Sequence, residues 1–290
     1  MRFLPQVLFW TLGVIWGSSF IYMKLAANLI SPLQIVLVRI AFGLLPIAAY
    51  ALLTGALKVS HLRHIGHLFL LSLIGTVAYY YGFARAASLL DSAIVGALSG
   101  LTPIFAYLLA LLLRADETAK RLKILGIAIG FLGVLLIARP SAAGYQAADF
   151  EGVLYALLGS ASIGASFVYV KRYVLPLEIP ASALITYQLA IGLLLLLPLV
   201  DLRGIANLAS DIYVATGLVV GLGLLGTGVA FILYYYIIDR LGGVAAATVA
   251  YIPPLVALAI GVILAGEQVE AIEYAGAALI LFGLALVNRG

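Results

Sequence analysis

Arg39 is the one ionisable residue standing well inside a long apolar run, "LQIVLVRIAFGLLPIAAYALL". A guanidinium presents a planar fork of donors that matches a carboxylate through two parallel hydrogen bonds. In hydrocarbon such a charge costs about 2.5–3.5 kcal/mol on insertion scales, so it must face protein or water. Two roles suit it: holding a substrate carboxylate, or snorkelling to the near end of its run about 9 Å away. The other side chains with chemistry to offer are hydroxyls, an amide and rings. Ser18, Ser19, Ser162 and Ser166 lie in apolar runs, as do Tyr79, Tyr80, Tyr81, Tyr107, Tyr187, Gln188 and Tyr251. Aromatic walls with a few polar handles suit a small hydrophobic molecule carrying a polar head. Each of these residues has a structural alternative in packing, and three consecutive tyrosines cannot all face one cavity.

Backbone chemistry adds a second set of candidates. Pro103 falls near the middle of the apolar run 92–113, and Pro253 and Pro254 near the middle of 243–264. A proline inside a helix removes one hydrogen bond and clashes with the carbonyl four residues back. The carbonyls freed are those of Ser99, Val249 and Ala250. In lipid, unpaired backbone is tolerated only where protein buries it or a wet cavity solvates it. Matched breaks therefore point to a binding cavity, the alternative being a simple kink.

Several chemistries are excluded. The chain lacks cysteine, every Asp and Glu falls at the end of an apolar run or in a connection, and the three histidines cluster where the third run begins. Nucleophilic, paired-carboxylate and thiolate-metal catalysis lose their residues, so an enzyme is not expected. His61, His64 and His67 have no carboxylate or thiolate nearby to complete a metal site. "GLGLLG" at Gly221–Gly226 fits a dinucleotide fingerprint in spelling, yet it sits in an apolar run without the strand that motif requires, so no cofactor is expected. The net charge of +4 comes from scattered cations. They form no basic face for nucleic acid.

Hydrophobic residues make up 65% of the chain and charged ones 10%, and mean hydropathy is +1.20. Soluble domains carry roughly a quarter charged residues, so the expected solvent is a lipid bilayer. Ten runs suit spanning helices: 4–23, 33–54, 66–86, 92–113, 123–139, 152–170, 181–200, 212–238, 243–264 and 273–288. The first has the outline of a signal peptide, but its near-copy at 152–170 is internal, so both are read as permanent helices. With the N-terminus inside, 11 of the 16 Lys and Arg fall on the cytoplasmic side and 4 outside, with Arg39 in a span. Both termini are expected in the cytoplasm.

The chain also repeats itself. "WGSSFIYMK" at 16–24 returns as "IGASFVYVK" at 163–171, and "YYYGFAR" at 79–85 as "YYYIIDR" at 234–240. Pro103, Glu117, Gly126 and Gly133 match Pro253, Glu267, Gly276 and Gly283, while Arg39, Ala41 and Gly43 meet Gln188, Ala190 and Gly192. Two five-helix units follow, 1–140 and 149–290, with a linker at 141–148. Five is odd, so the second unit enters the membrane from the opposite face. Inverted repeats are the architecture of secondary transporters, with a site near the midplane where the halves meet.

These features, with "WGSSF" in the first span and a proline-bearing fourth and ninth span each followed by a glutamate and a glycine-spaced helix, resemble the drug/metabolite transporter superfamily. The resemblance is to its EamA-type branch of ten helices, and within that to the YddG-like exporters of aromatic and other hydrophobic amino acids. It covers essentially the whole chain and implies an all-α polytopic carrier of the inner membrane, working by alternating access on a neutral amino acid, with another small metabolite or neutral drug as the alternative substrate. The absence of acids in the spans suits an uncoupled facilitator. The expected cavity lies among the first, third, fourth, sixth, eighth and ninth spans and draws on Ser19, Arg39, Tyr79, Tyr80, Ser99, Pro103, Tyr107, Ser166, Tyr187, Gln188, Val249, Ala250, Tyr251 and Pro253. Gly126, Gly130, Gly133, Gly276 and Gly283 are expected to serve close packing, either within a monomer or in a dimer through the fifth and tenth spans.

Overall fold

The computed structural model describes residues 3–113, 121–138, 147–242 and 248–289. Glu117, most of the expected linker and the first residues of the expected ninth span lie outside them. Ten apolar helices are present among the described residues near their expected places, with the third starting seven residues before its expected 66 and the sixth running seven past its expected 170. They are α1 Leu4–Ala27, α2 Pro32–Leu53, α3 Val59–Leu89, α4 Ser92–Leu112, α5 Arg121–Ala138, α6 Asp149–Leu177, α7 Ala181–Leu196, α8 Ile212–Leu241, α9 Thr248–Leu264 and α10 Ala271–Val287. Seven are long and apolar enough to cross a membrane, and α7, α9 and α10 are shorter. Large apolar residues such as Trp10, Leu53, Leu135, Leu194 and Phe282 stand exposed on the outside of the bundle, which is the surface lipid solvates.

The packing repeats as the sequence does. α1 packs on α9, and α6 on α4; α2 packs on α8, and α7 on α3; α3 packs on α6, and α8 on α1. The remaining close pairs, α2–α7, α4–α9 and α5–α10, join equivalent helices of the two halves. Exchanging the halves maps this pattern onto itself.

The proline positions are indeed breaks. α4 runs Ser92–Ser99, turns at Gly100 and Leu101, and resumes at Thr102 with Pro103 in its first turn. α9 passes from a tight 3₁₀ turn, Thr248–Tyr251, into Ile252–Ala259, with both prolines at the start. Proline is well placed in a first turn, where its missing N–H has no partner to lose.

α5 and α10 cross so closely that glycine is required at the contact. A Cβ on Gly126 would stand 2.6 Å from the Gly283 carbonyl oxygen, and one on Gly133 would stand 2.5 Å from that of Gly276. The two glycine faces meet each other within the chain and are not free for a second copy; only the lipid-facing sides of α5 and α10 remain for one.

At one end of the bundle Glu267, between α9 and α10, caps the first half of α4. Its carboxylate accepts from the Ser92 N–H (2.9 Å), the Ser92 hydroxyl (2.7 Å) and the Ala93 N–H (2.9 Å). A carboxylate at a helix N-terminus satisfies orphan donors and complements the macrodipole. Lys24 reaches the same place, donating to the Leu90 carbonyl at 2.9 Å and lying 3.7 Å from Asp91. Burial, with the charge of Glu267 added, pushes the Asp91 carboxyl above its ordinary range despite Lys24.

Two outcomes are expected in thermal unfolding of detergent-solubilised protein. Gly283→Leu forces the α5–α10 crossing apart and destabilises by about 1–3 kcal/mol. Glu267→Gln loses the charge of the cap while keeping one acceptor oxygen, and costs about 1 kcal/mol.

Candidate functional site

Within the long third and eighth helices the backbone widens into π-helical turns, Leu73–Ala78 in α3 and Gly217–Val229 in α8. Such bulges are frequent at functional sites. Each carries the dipeptide Gly-Thr, Gly75-Thr76 and Gly226-Thr227. The absent Cβ matters at both glycines. One added to Gly226 would lie 3.1 Å from the Ser19 hydroxyl, and one added to Gly75 would lie 3.0 Å from Gln188 Nε2 and 3.3 Å from the Ser166 hydroxyl.

Each threonine is gripped by a pair of residues four apart, hence on one face, of the facing helix. Arg39 Nε donates to Thr227 Oγ1 at 3.0 Å, while the Thr227 methyl fits against Gly43, where a Cβ would approach it to 2.6 Å. Gln188 Nε2 donates to Thr76 Oγ1 at 2.7 Å, while the Thr76 methyl fits against Gly192, 3.2 Å from where its Cβ would be. Thr227 in turn donates to the Leu222 carbonyl at 3.0 Å. The result is two mirrored clamps, one headed by a guanidinium and one by an amide.

Arg39 is only 5% exposed and Gln188 equally so. The guanidinium lies over the Tyr80 ring, 3.8 Å from its centroid, within electrostatic reach of Tyr79 and 4.0 Å from Met23 Sδ. Tyr79, Tyr80, Phe83 and Phe20 form a continuous run of ring contacts beside it. Among the described residues no carboxylate comes within ion-pair distance of Arg39. A cation–π contact returns up to about 2 kcal/mol when desolvated, whereas burying an ion costs several. The charge is under-compensated in a place lined by rings.

Of the expected site residues, the structure gathers Ser19, Arg39, Tyr79, Tyr80, Ser166 and Gln188 around these clamps. The others are placed elsewhere. Tyr107 lies under Lys123 of α5, with the ammonium 4.5 Å from its ring. Tyr187 ties the α2–α3 connection, accepting from the Lys58 N–H at 3.1 Å and donating to its carbonyl at 3.0 Å. Tyr251 donates to the Leu284 carbonyl of α10 at 3.3 Å. Ser99 bonds back to Gly96 of its own helix, and at this break the Leu98 carbonyl is taken by the Leu101 N–H and the Ser160 hydroxyl of α6. Val249 is fully buried among Leu12, Ala230 and Ile237, with half-buried Ala250 beside it. Pro253 is buried with its carbonyl against Gly17 of α1, and Gly96 of α4 meets Ala257 of α9. Pro103 leads the part of α4 on which Gly164 of α6 rests. At the breaks α6 meets the Leu98 carbonyl and α1 the Pro253 carbonyl, while the clamps gather polar groups among α1, α2, α3, α6, α7 and α8. Thr76, Thr227 and Met23 were not anticipated. Their signal was "LIGT" at 73–76 and "LLGT" at 224–227, spaced 151 apart. Aligning on the tyrosine triplets hides it, because four residues, about one turn, separate the two registers. Tyr234 accordingly packs on Trp16, ring centroids 5.5 Å apart, rather than on Arg39.

Toward the Lys24 end, a polar cavity of about 550 Å³ opens among the α1–α2 turn, Gln34, Arg85, Ser88 and the α7–α8 connection. Gln34 fixes that mouth by donating to the carbonyls of Asp201 (2.7 Å) and Arg203 (2.8 Å). It lies about 7.5 Å along α2 from Arg39.

The sequence profile of the EamA-like transporter family matches twice, over residues 5–139 and 150–289. The chain belongs to this family. As a member it is a multi-pass membrane transporter and not an enzyme, built from the two repeats seen in its packing. It is similar to "Uncharacterized inner membrane transporter YedA" of Escherichia coli (28% identical, covering 96% of this chain and 89% of that one). An "Uncharacterized transporter" of Archaeoglobus fulgidus is 26% identical, covering 94% and 95%. A solved crystal structure shares the fold at a TM-score of 0.59 and 19% identity, over 96% of this chain.

Thr227→Val leaves Arg39 Nε buried without its acceptor while keeping the shape of the side chain. It is expected to destabilise the protein by about 1–3 kcal/mol in thermal unfolding, with Thr227→Ser restoring most of the loss.

Proposed function

We propose that this EamA-type transporter moves a small hydrophobic or aromatic amino acid outward across the inner membrane. The halves 1–140 and 149–290 alternate about the clamps, and both termini lie in the cytoplasm. That orientation puts Lys24, Arg203 and the polar cavity on the outer face. One observation carries the substrate class: a buried guanidinium, without an acid partner among the described residues, stacked on Tyr80 beside Tyr79, Phe83 and Phe20. A carboxylate supplies the missing charge through the guanidinium fork, and the rings suit an apolar side chain. With Asp and Glu confined to span ends and connections, such as Asp149, Glu151, Asp239 and Glu273, a proton relay of the usual kind lacks its residues. The carrier runs down whichever gradient the cell imposes.

Counterflow in proteoliposomes tests this. With unlabelled phenylalanine inside and no ion gradient, labelled phenylalanine is expected to accumulate transiently. Arg39→Gln is expected to weaken its apparent affinity about 10- to 100-fold, the worth of a charge-assisted hydrogen bond. Failure of every amino acid to exchange, with the protein folded and inserted, sinks the substrate class; nucleosides and neutral drugs come next.

A further inference from the structure

We propose that Gln188 is the second recognition pole of the Arg39 site: its side-chain carbonyl receives a protonated amine, so the substrate is read as a zwitterion. This rests on the Arg39 reading and narrows it. Gln188 is 95% buried by its 5% exposure. Its amide nitrogen donates to Thr76, yet its side-chain oxygen accepts no hydrogen bond among the described residues. A buried acceptor left empty is costly and calls for a partner. A carboxamide oxygen has two lone pairs, so one stays open even if the amide is turned and Thr76 becomes the donor.

Position and chemistry agree. Gln188 stands 149 residues after Arg39, on the equivalent helix, gripping the equivalent threonine. The partners of both heads lie on α3: the guanidinium covers Tyr80 and the amide meets Thr76. These residues are four apart, so the two heads sit over neighbouring turns, about 6 Å along the helix. One pole offers unused N–H donors and positive charge, the other an unused acceptor. A carboxylate and an ammonium carried on one carbon match that pair, with the apolar side chain left to the rings. A neutral acceptor also makes sense beside Arg39, because a carboxylate at 188 would close an ion pair with the guanidinium and fill the site without substrate.

The test uses labelled phenylalanine counterflow, challenged from outside by unlabelled phenylalanine, 3-phenylpropionate (no amine) or phenethylamine (no carboxylate). In the wild type, phenylalanine is expected to compete at least tenfold better than either analogue. Gln188→Leu is expected to weaken phenylalanine about tenfold while leaving 3-phenylpropionate unchanged, so that the two become alike. Retained binding of 3-phenylpropionate reports that the variant is folded. Equal competition by phenylalanine and 3-phenylpropionate in the wild type overturns the inference while leaving Arg39 as a carboxylate anchor. Equal weakening of both by Gln188→Leu also overturns it, since a merely structural role predicts that. If neither carboxylate competes, the Arg39 reading falls and takes this one with it.

Discussion

A guanidinium inside a membrane-spanning bundle cannot lose its proton, so the protein must solvate it, fix its direction and keep lipid away. Around Arg39 these three tasks are divided among different helices. α8 widens into a π-helical stretch and turns the Thr227 hydroxyl toward Nε. α3 lays the face of Tyr80 under the charge. α1 closes the remaining side with Met23. None of the three supplies a counter-charge. A charge held by dipoles and a ring, with no carboxylate in ion-pair reach among the described residues, is well oriented and electrostatically unfinished.

The same frame is built a second time around Gln188, with Thr76 for Thr227, Gly192 for Gly43, Ser166 for Ser19 and Gly75 for Gly226. The duplication keeps the backbone and changes the head group. A neutral head demands less of its surroundings: Ser72 donates to the Gln188 backbone carbonyl at 2.7 Å, and among the described residues no ring contact covers the amide. Two frames of equal shape and unequal charge give the centre of the bundle a direction that the fold itself, being pseudo-symmetric, lacks.

The proline breaks of α4 and α9 lie apart from the helices carrying these heads, although α2 has Pro46 in its interior. α4 and α9 hold the proline breaks, pack on each other, and are tied to α6 and α1 at the breaks by Ser160 and Gly17. α5 and α10 cross backbone against backbone. The heads sit on α2 and α7, which also face each other. The contacts between equivalent helices and the π-helical segments of α3 and α8 that meet the heads are thus separate features of the bundle.

Membrane class, the number of spans and the two-fold repetition were legible in the sequence, because lipid imposes run length and hydropathy on each helix separately and duplication leaves matching words. The importance of Arg39 was legible for the same reason, a charge in an apolar run being conspicuous alone. Of the residues around it, Tyr79 and Tyr80 were legible as aromatic candidates, whereas Thr227 and Met23 were not. The prolines were conspicuous too, but a break reveals only that backbone groups are freed, and whether a cavity or a neighbour takes them depends on helices more than fifty residues away. Tyr107, Tyr187 and Tyr251 looked like cavity walls because they lie inside spans, yet the rotation of a helix about its axis is set by its packing partners, and packing turned them toward α5, the α2–α3 connection and α10. Thr76 and Thr227 went unseen because their value comes from π-helical turns packed against glycines of α2 and α7, a register and a contact that hydropathy does not reveal. The sequence determined what must enter the membrane and what must be duplicated; tertiary contact alone decided which polar groups share one site, since that depends on helix rotation and register, quantities that hydropathy does not encode.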